Sequence, residues 1–443
     1  MLILLAAFKR DYIISRLFSL KRVIRRLLKK PMKLPYNPGT DTFIGTTTGK
    51  RAVFTPDDAK NVLAVGTTGS GKTVLLANYV KRSVDMNYPA LIMDGKGDTG
   101  SGSLLDITHK IQRDKKAYVI SMTDPERSDK FNPFRGASPT IAKDMLINMT
   151  EWSEEHYKLN TERYLQRLVQ LMHRAKIPLS FQRILLYMDI DRFKALSAKL
   201  YQEVLITKTD HSMNTELIKT SGKIAENASA RFATIAESEQ GLLFADDGID
   251  TYTAMQEKAI ILFILNPMIF PELSPLMGRL VTIDSKKAVS KLYQNPVGRA
   301  LFIMDEIGVY ASPTLLDLVN KARSAGITCI LAAQGLADLA AAVSEFFKEQ
   351  IIENCNNFIT LRQNSSVNAE DCASIIGTEE TMEMTHQLQQ TFGGATETGY
   401  GSARPVRKYI YHPDEIKALP RGKAVYISRD LGYHCKFDIC KPF

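Results

Sequence analysis

Short runs of consecutive aliphatic residues recur along the chain, separated by longer segments whose apolar residues return every three or four positions. The runs are Val62 to Val65, Ala90 to Met93, Tyr118 to Ser121, Ala259 to Leu265, Ala300 to Met304, Thr328 to Ala332, Phe358 to Leu361 and Ala424 to Ile427. Runs of this kind suit strands covered on both faces, and strands alternating with helices predict a mostly parallel α/β sheet. Between Pro139 and about Ala236 the pattern changes. No such run occurs there, and segments such as Met145 to Trp152 and Thr161 to Ala175 are polar or amphipathic with helical spacing. That predicts an all-α domain at 139–236, inserted into a sheet domain made of 37–138 and 237–443. Pro38 to Gly49, polar and rich in Gly and Thr, falls outside the strand pattern.

From Tyr12 to Leu28 the residues Ile13, Ile14, Leu17, Phe18, Leu20, Ile24, Leu27 and Leu28 recur at helical intervals with cations between them. They predict a basic amphipathic helix within an N-terminal segment 1–36. Such a helix packs its stripe on the rest of the protein, docks on an anionic membrane surface, or is the cytoplasmic end of a spanning helix that starts upstream. Charge narrows the choice of partner. The chain carries 57 Lys and Arg against 48 Asp and Glu, a formal net charge of +9. Residues 1–33 alone hold ten of these cations and one acid, Asp11, which accounts for the whole excess. The rest is net neutral, so a partner attracted by surplus charge is a partner of the tail.

Composition excludes some classes without naming one. With 44% hydrophobic and 24% charged residues the chain is neither disordered nor collagen-like. Five cysteines without a CxxC pair and seven scattered His indicate no disulfide framework and no zinc site, and predict a reducing compartment. The octet Met1 to Phe8 is apolar then charged, the reverse of a signal peptide, and no stretch reaches 18 consecutive apolar residues.

The strongest chemical signal is Gly66, Thr67, Thr68, Gly69, Ser70, Gly71, Lys72 and Thr73, a complete GxxxxGK[ST] between a predicted strand and a predicted helix. Its glycines let backbone N–H groups cradle phosphates, Lys72 brings a cation to the β and γ phosphates, and the Thr73 hydroxyl is a Mg²⁺ ligand. ATP and Mg²⁺ are therefore the expected cofactors. A hydrolase of this kind needs carboxylates at the end of a neighbouring buried strand, and Ala300 to Glu306 supplies two: Asp305 for the metal and Glu306 as general base on water. Taken alone, an apolar run ending in Asp-Glu is a plain strand end with solvated acids; the phosphate loop gives it a role. Two other strand ends point into the same crevice, Asp94-Gly95-Lys96-Gly97-Asp98 and Ala332-Ala333-Gln334. The first also suits a tight turn. Gln334 suits sensing of the γ-phosphate or of the attacking water, or a local strand-end bond.

In this order the phosphate loop, DGKGD, Phe131-Asn132-Pro133-Phe134, the helical insertion, IMDEIG, Lys321 to Gly326 followed by LAAQGLADL, and Asn356 to Arg362 resemble the type IV coupling proteins. These are the conjugative DNA-transfer ATPases of the FtsK and HerA superfamily, and the resemblance covers roughly residues 40–435. It implies a RecA-like P-loop ATPase with an inserted all-α domain, a homo-hexameric ring that couples relaxase-bound DNA to a type IV secretion channel. The place it implies is the cytoplasmic face of the bacterial inner membrane. It also implies that Arg323 reaches a neighbouring subunit's nucleotide as an arginine finger, with Arg362 a second candidate. Members usually carry N-terminal transmembrane helices, so the chain is expected to borrow a membrane partner or to begin near the end of a spanning helix. Two alternatives stand beside this: a related ring ATPase that moves protein effectors or segregating DNA, and an ATP-gated docking platform with little hydrolysis.

Overall fold

Each of the eight aliphatic runs is a strand in the computed structural model of the chain, which describes residues 36–442 except positions 151, 153, 392 and 393. The predicted amphipathic tail helix lies outside the described residues. In chain order, β1 (Asp41–Thr46) and β2 (Ala52–Pro56) form a hairpin, and β3 (Val62–Val65) leads through the Gly-rich turn into a helix at Lys72–Asp85. Next come β4 (Ala90–Asp94), a helix at Leu104–Ile111, and β5 (Ala117–Ser121). Five helices follow, at Pro139–Met149, Glu155–Arg174, Phe181–Met188, Ile190–Gln202 and Lys208–Ala236. The chain then returns to the sheet as β6 (Ile260–Ile264), β7 (Ala300–Asp305), β8 (Ile327–Ala333) and β9 (Asn357–Thr360). A long hairpin, β10 (Thr378–Thr391) and β11 (Gly394–Tyr409), precedes β12 (Lys423–Ser428) and β13 (Tyr433–Ile439).

Among the described residues eleven strands make one sheet in the order β2-β1-β13-β12-β9-β3-β8-β7-β4-β6-β5, and β10 and β11 pair with each other as a separate two-stranded sheet. From β9 to β5 every neighbour is parallel; β12, β13, β1 and β2 extend the sheet antiparallel. The mostly parallel α/β expectation holds, with one revision: Ala424 to Ile427 belongs to the antiparallel extension. Asp41 to Thr46, within the polar stretch set outside the strand pattern, is also a strand, held by pairing to β2 and β13.

Alternation explains why continuous apolar runs are needed. In β7, Leu301 and Ile303 join one core with Leu75, Leu76 and Tyr79 of the helix after the phosphate loop. Phe302 and Met304 join the other, which also holds Tyr164, Leu165 and Leu168 of the helical insertion. The insertion therefore packs on one face of the sheet and the phosphate-loop helix on the other, and every β7 residue is buried.

The two ends of the insertion are sewn together at its neck, which gives Phe131 to Phe134 a purpose. Asn132 Nδ2 donates to the carbonyls of Leu179 at 3.1 Å and Asp246 at 3.0 Å, and its backbone N–H donates to Ile249 at 2.9 Å. Phe131 packs edge-on against Phe263 with ring centres 5.0 Å apart. Lys287, from the helix Leu273–Leu292, crosses the neck. Its ammonium donates to the carbonyls of Pro133 (2.6 Å) and Arg135 (2.9 Å) and pairs with Asp250 (3.0 Å) and Asp284 (2.8 Å). No helix among the described residues is long and apolar enough to cross a membrane.

Candidate functional site

Parallel strands β3, β8, β7 and β4 lie side by side, so their carboxyl ends open on one crevice. The turn Gly66–Thr73 begins where β3 ends and is anchored on both sides: Gly66 N–H donates to Ala333 of β8 at 3.1 Å and Thr67 N–H to Arg362 after β9 at 3.0 Å. A third support comes from the antiparallel extension, where Gly422 N–H donates to the Ser70 carbonyl at 2.9 Å. Gly71, at φ +119°, takes a conformation that L side chains rarely adopt, and the helix starts immediately after it. Four N–H groups at the start of that helix have no helical partner, which with the helix dipole makes an anion site. Thr67 is half-buried, Thr68 and Gly69 face solvent, Ser70 is buried with its hydroxyl on the Thr67 carbonyl, and Thr73 lies half-buried in the first helical turn.

Lys72 is folded back inside the turn. Its ammonium donates to the Gly66 carbonyl at 2.5 Å and lies 3.8 Å from Glu306 Oε2. Burial lowers its pKa, with the Glu306 charge opposing. Asp305, 1% exposed, ends β7; Oδ1 accepts the Glu306 N–H at 3.0 Å and Oδ2 faces the Lys96 ammonium at 3.0 Å. Glu306 leaves the strand at φ 52°, ψ 54°, a left-handed conformation costing a non-glycine residue about 1 kcal/mol or more. That turn aims its carboxylate back toward Lys72. Burial raises the Glu306 pKa; Lys72 lowers it, Asp305 adds to the rise and a hydrogen bond from Gln334 opposes it. Its Oε2 is buried without a hydrogen-bond donor, an orphan acceptor aimed into the crevice.

Gln334 sits at the tip of β8, between the phosphate loop and β7. Its Oε1 accepts from Thr68 Oγ1 at a long 3.4 Å, and its carbonyl accepts from Gln363 at 3.2 Å. The structure thus brings together Lys72, Asp305, Glu306 and Gln334. It does not bring Arg323 there: this exposed residue precedes β8, at the opposite end of the strand from Gln334, about 20 Å away by strand rise. Arg323 lies in a short 3-10 turn after the helix Pro313–Ala322. Arg362 is next to the phosphate loop, and its Nε is buried with no acceptor. Lys96, which the sequence shows only as part of the DGKGD turn, joins this cluster through Asp305; a cation flanked by glycines after an acid-ended strand is its signal.

Residues 52–436 match the family described as the type IV secretion-system coupling protein DNA-binding domain. The fold is similar to that of the unbound bacterial conjugative coupling protein TrwBdeltaN70, with a TM-score of 0.64, 15% identity and coverage of 93% of this chain and 91% of that one. It is also similar to the plasmid coupling protein TrwB in complex with ADP and Mg²⁺, with a TM-score of 0.63, 16% identity and coverage of 94% and 92%. VirB4 of Thermoanaerobacter pseudethanolicus gives a TM-score of 0.56 at 12% identity over 92% of this chain and 98% of its own. An uncharacterised protein of Mycoplasma pneumoniae is 29% identical over 105 residues, 24% of this chain and 70% of its own. A match spanning most of the chain, on a parallel sheet whose strand ends gather a complete phosphate loop and an Asp-Glu pair, places this protein in the type IV secretion-system coupling protein DNA-binding domain family.

Proposed function

We propose that this chain is an ATP-hydrolysing motor that couples DNA, delivered with relaxase and its accessory proteins, to a type IV secretion channel. The observation that carries the reading is the convergence of Lys72, Asp305, Glu306 and Gln334 at the ends of three adjacent strands. The residues fit ATP and Mg²⁺: the loop offers a helix N-terminus to phosphate, Asp305 Oδ2 already faces a cation, and the Glu306 Oε2 orphan awaits a donor. Thr73 and Asp305 would hold Mg²⁺, which when bound neutralises charge on the transferring phosphoryl. Lys72 turns from the Gly66 carbonyl to a phosphate oxygen. Glu306 takes the proton of the attacking water, and Gln334 orients that water. The neutral body confines any DNA contacts to local patches.

Arg323, far from its own crevice, suits a finger that completes a neighbour's site in a homo-hexameric ring. Arg323→Ala is expected to keep nucleotide affinity and to lose about 10³-fold or more in ATPase rate. Mixed with Glu306→Gln subunits it should regain activity, because mixed rings rebuild some complete sites. Phosphate release that stays flat in mixtures shown to contain both subunits rules out a finger acting between subunits. Residues 139–236 we read as an inserted all-α domain between the two parts of the nucleotide-binding domain.

For the N-terminal segment we propose attachment at the cytoplasmic face of the inner membrane, by the basic helix or through a membrane partner. Each basic residue near an anionic surface contributes about 1 kcal/mol, so part of the ten suffices. The whole chain should co-sediment with vesicles of anionic lipid, less so with added salt, and deletion of residues 1–33 should abolish this while sparing basal ATPase. A full-length chain that never pellets with such vesicles, alongside a truncation that melts earlier, means that the stripe packs on the protein instead.

A further inference from the structure

Asp94 of β4 stands in register with Asp305 of β7, and the two are 2% and 1% exposed. Two buried carboxylates on adjacent strands repel, and each demands donors or a cation. Backbone supplies part of this: Lys96 N–H donates to Asp94 Oδ1 at 2.9 Å and Glu306 N–H to Asp305 Oδ1 at 3.0 Å. The remaining Asp305 oxygen is met by the Lys96 ammonium at 3.0 Å. The loop is shaped to bring it there. A Cβ at Gly97, φ +71°, would lie 2.1 Å from the Leu265 carbonyl, and one at Gly95 would lie 2.9 Å from the carbonyls of Asp305 and Glu306. Only glycines on both sides let the chain lie flat on β6 and β7 while Lys96 folds back over the acid. The lysine side chain is still 30% exposed, so it has a way out to solvent.

We propose that Lys96 is the counter-cation of the Asp94–Asp305 pair in the nucleotide-free subunit and competes with the divalent metal for Asp305, so that metal binding and Lys96 release are coupled. This rests on Asp305 being the residue that holds the metal. An ammonium and a metal ion held at the same carboxylate oxygen repel each other, so each weakens the other there, and a doubly charged ion compensates both acids where Lys96 compensates them with one charge. The metal-binding carboxylate is thereby kept ordered and neutralised between nucleotides, and free metal is held off until it arrives with phosphate.

The test uses the full chain without nucleotide. Wild type, Lys96→Met, Lys96→Arg and Lys96→Met/Asp305→Asn are titrated with Mn²⁺ followed by electron paramagnetic resonance, and melted with chelator or with millimolar Mg²⁺. Lys96→Met should melt earlier in chelator, recover with Mg²⁺, and bind Mn²⁺ about tenfold or more tighter than wild type, as removal of one close charge predicts. Lys96→Arg should stay near wild type, and the added Asp305→Asn should erase the gain. Unchanged Mn²⁺ affinity in Lys96→Met overturns the proposal, as does failure of that variant to fold even with metal present, since metal then cannot replace the lysine. A wild type that binds Mn²⁺ as expected yet hydrolyses no ATP overturns the hydrolytic reading and leaves the competition at Asp305 intact.

Discussion

Glu306→Gln is expected to bind ATP with near wild-type affinity and to lose about 10²–10⁴-fold in turnover. The substitution keeps the side chain's shape and the Asp305 carboxylate but removes the proton acceptor. The left-handed backbone at Glu306 matters here, because strain at that residue buys a carboxylate directed at Lys72 rather than along the strand. Its raised pKa sets a second expectation. A base works only when deprotonated, so kcat/KM should fall with acid through an apparent pKa above the ordinary carboxylate range. Turnover within about threefold of wild type in Glu306→Gln would remove this residue from the role.

The largest stability effect is expected at Lys287. Its side chain is 1% exposed, and its ammonium is the shared partner of Asp250, Asp284 and two neck carbonyls. Lys287→Met fills similar volume but strands two buried carboxylates, and removing one partner of a buried ion pair costs about 3–5 kcal/mol. Burial already raises the Asp284 pKa, with Lys287 the chief opposing charge. Losing that charge raises it further. An acid whose folded pKa is raised binds more protons folded than unfolded, so it costs stability as pH rises from the unfolded value through the folded one. The deficit of Lys287→Met should therefore be smaller at mildly acidic pH than above neutrality. Urea titrations at two pH values read this directly; a loss under about 1 kcal/mol at both would mean that the triad does not hold the neck.

What was legible in the sequence follows from how local each signal is. Consecutive apolar residues marked the strands of the parallel set, because burial on both faces imposes that pattern on a short segment; β5, at the sheet edge and only half-buried over Ala117–Val119, shows it most weakly. The phosphate loop and Asp305-Glu306 were legible for the same reason, each being one contiguous stretch with its strand. β13 carried an unused signal: Tyr433, Cys435, Phe437 and Ile439 alternate with His434, Lys436 and Asp438, the period of a strand covered on one face. β1, with Gly45 and two Thr, is a strand through its pairing to β2 and β13. β10 and β11 are mostly polar and carry no continuous apolar run, and among the described residues they are strands through pairing with each other, which no one-dimensional pattern announces. Trp152 fell outside its predicted helix, which ends at Met149. Lys96, Asn132 and Lys287 are hard to read as functional positions because most of their partners, such as Asp305, Leu179, Asp246, Pro133 and Asp250, are distant in sequence and meet them only when the sheet forms.

The central claim is that the strand-end cluster hydrolyses ATP in the service of DNA. Phosphate release by the full chain, with and without DNA, tests it most directly, in wild type and in Lys72→Ala. The expected result is Mg²⁺-dependent release that DNA stimulates in wild type and that is absent in Lys72→Ala. Release that ignores DNA and survives the loss of Lys72, or no release under any of these conditions, would contradict it.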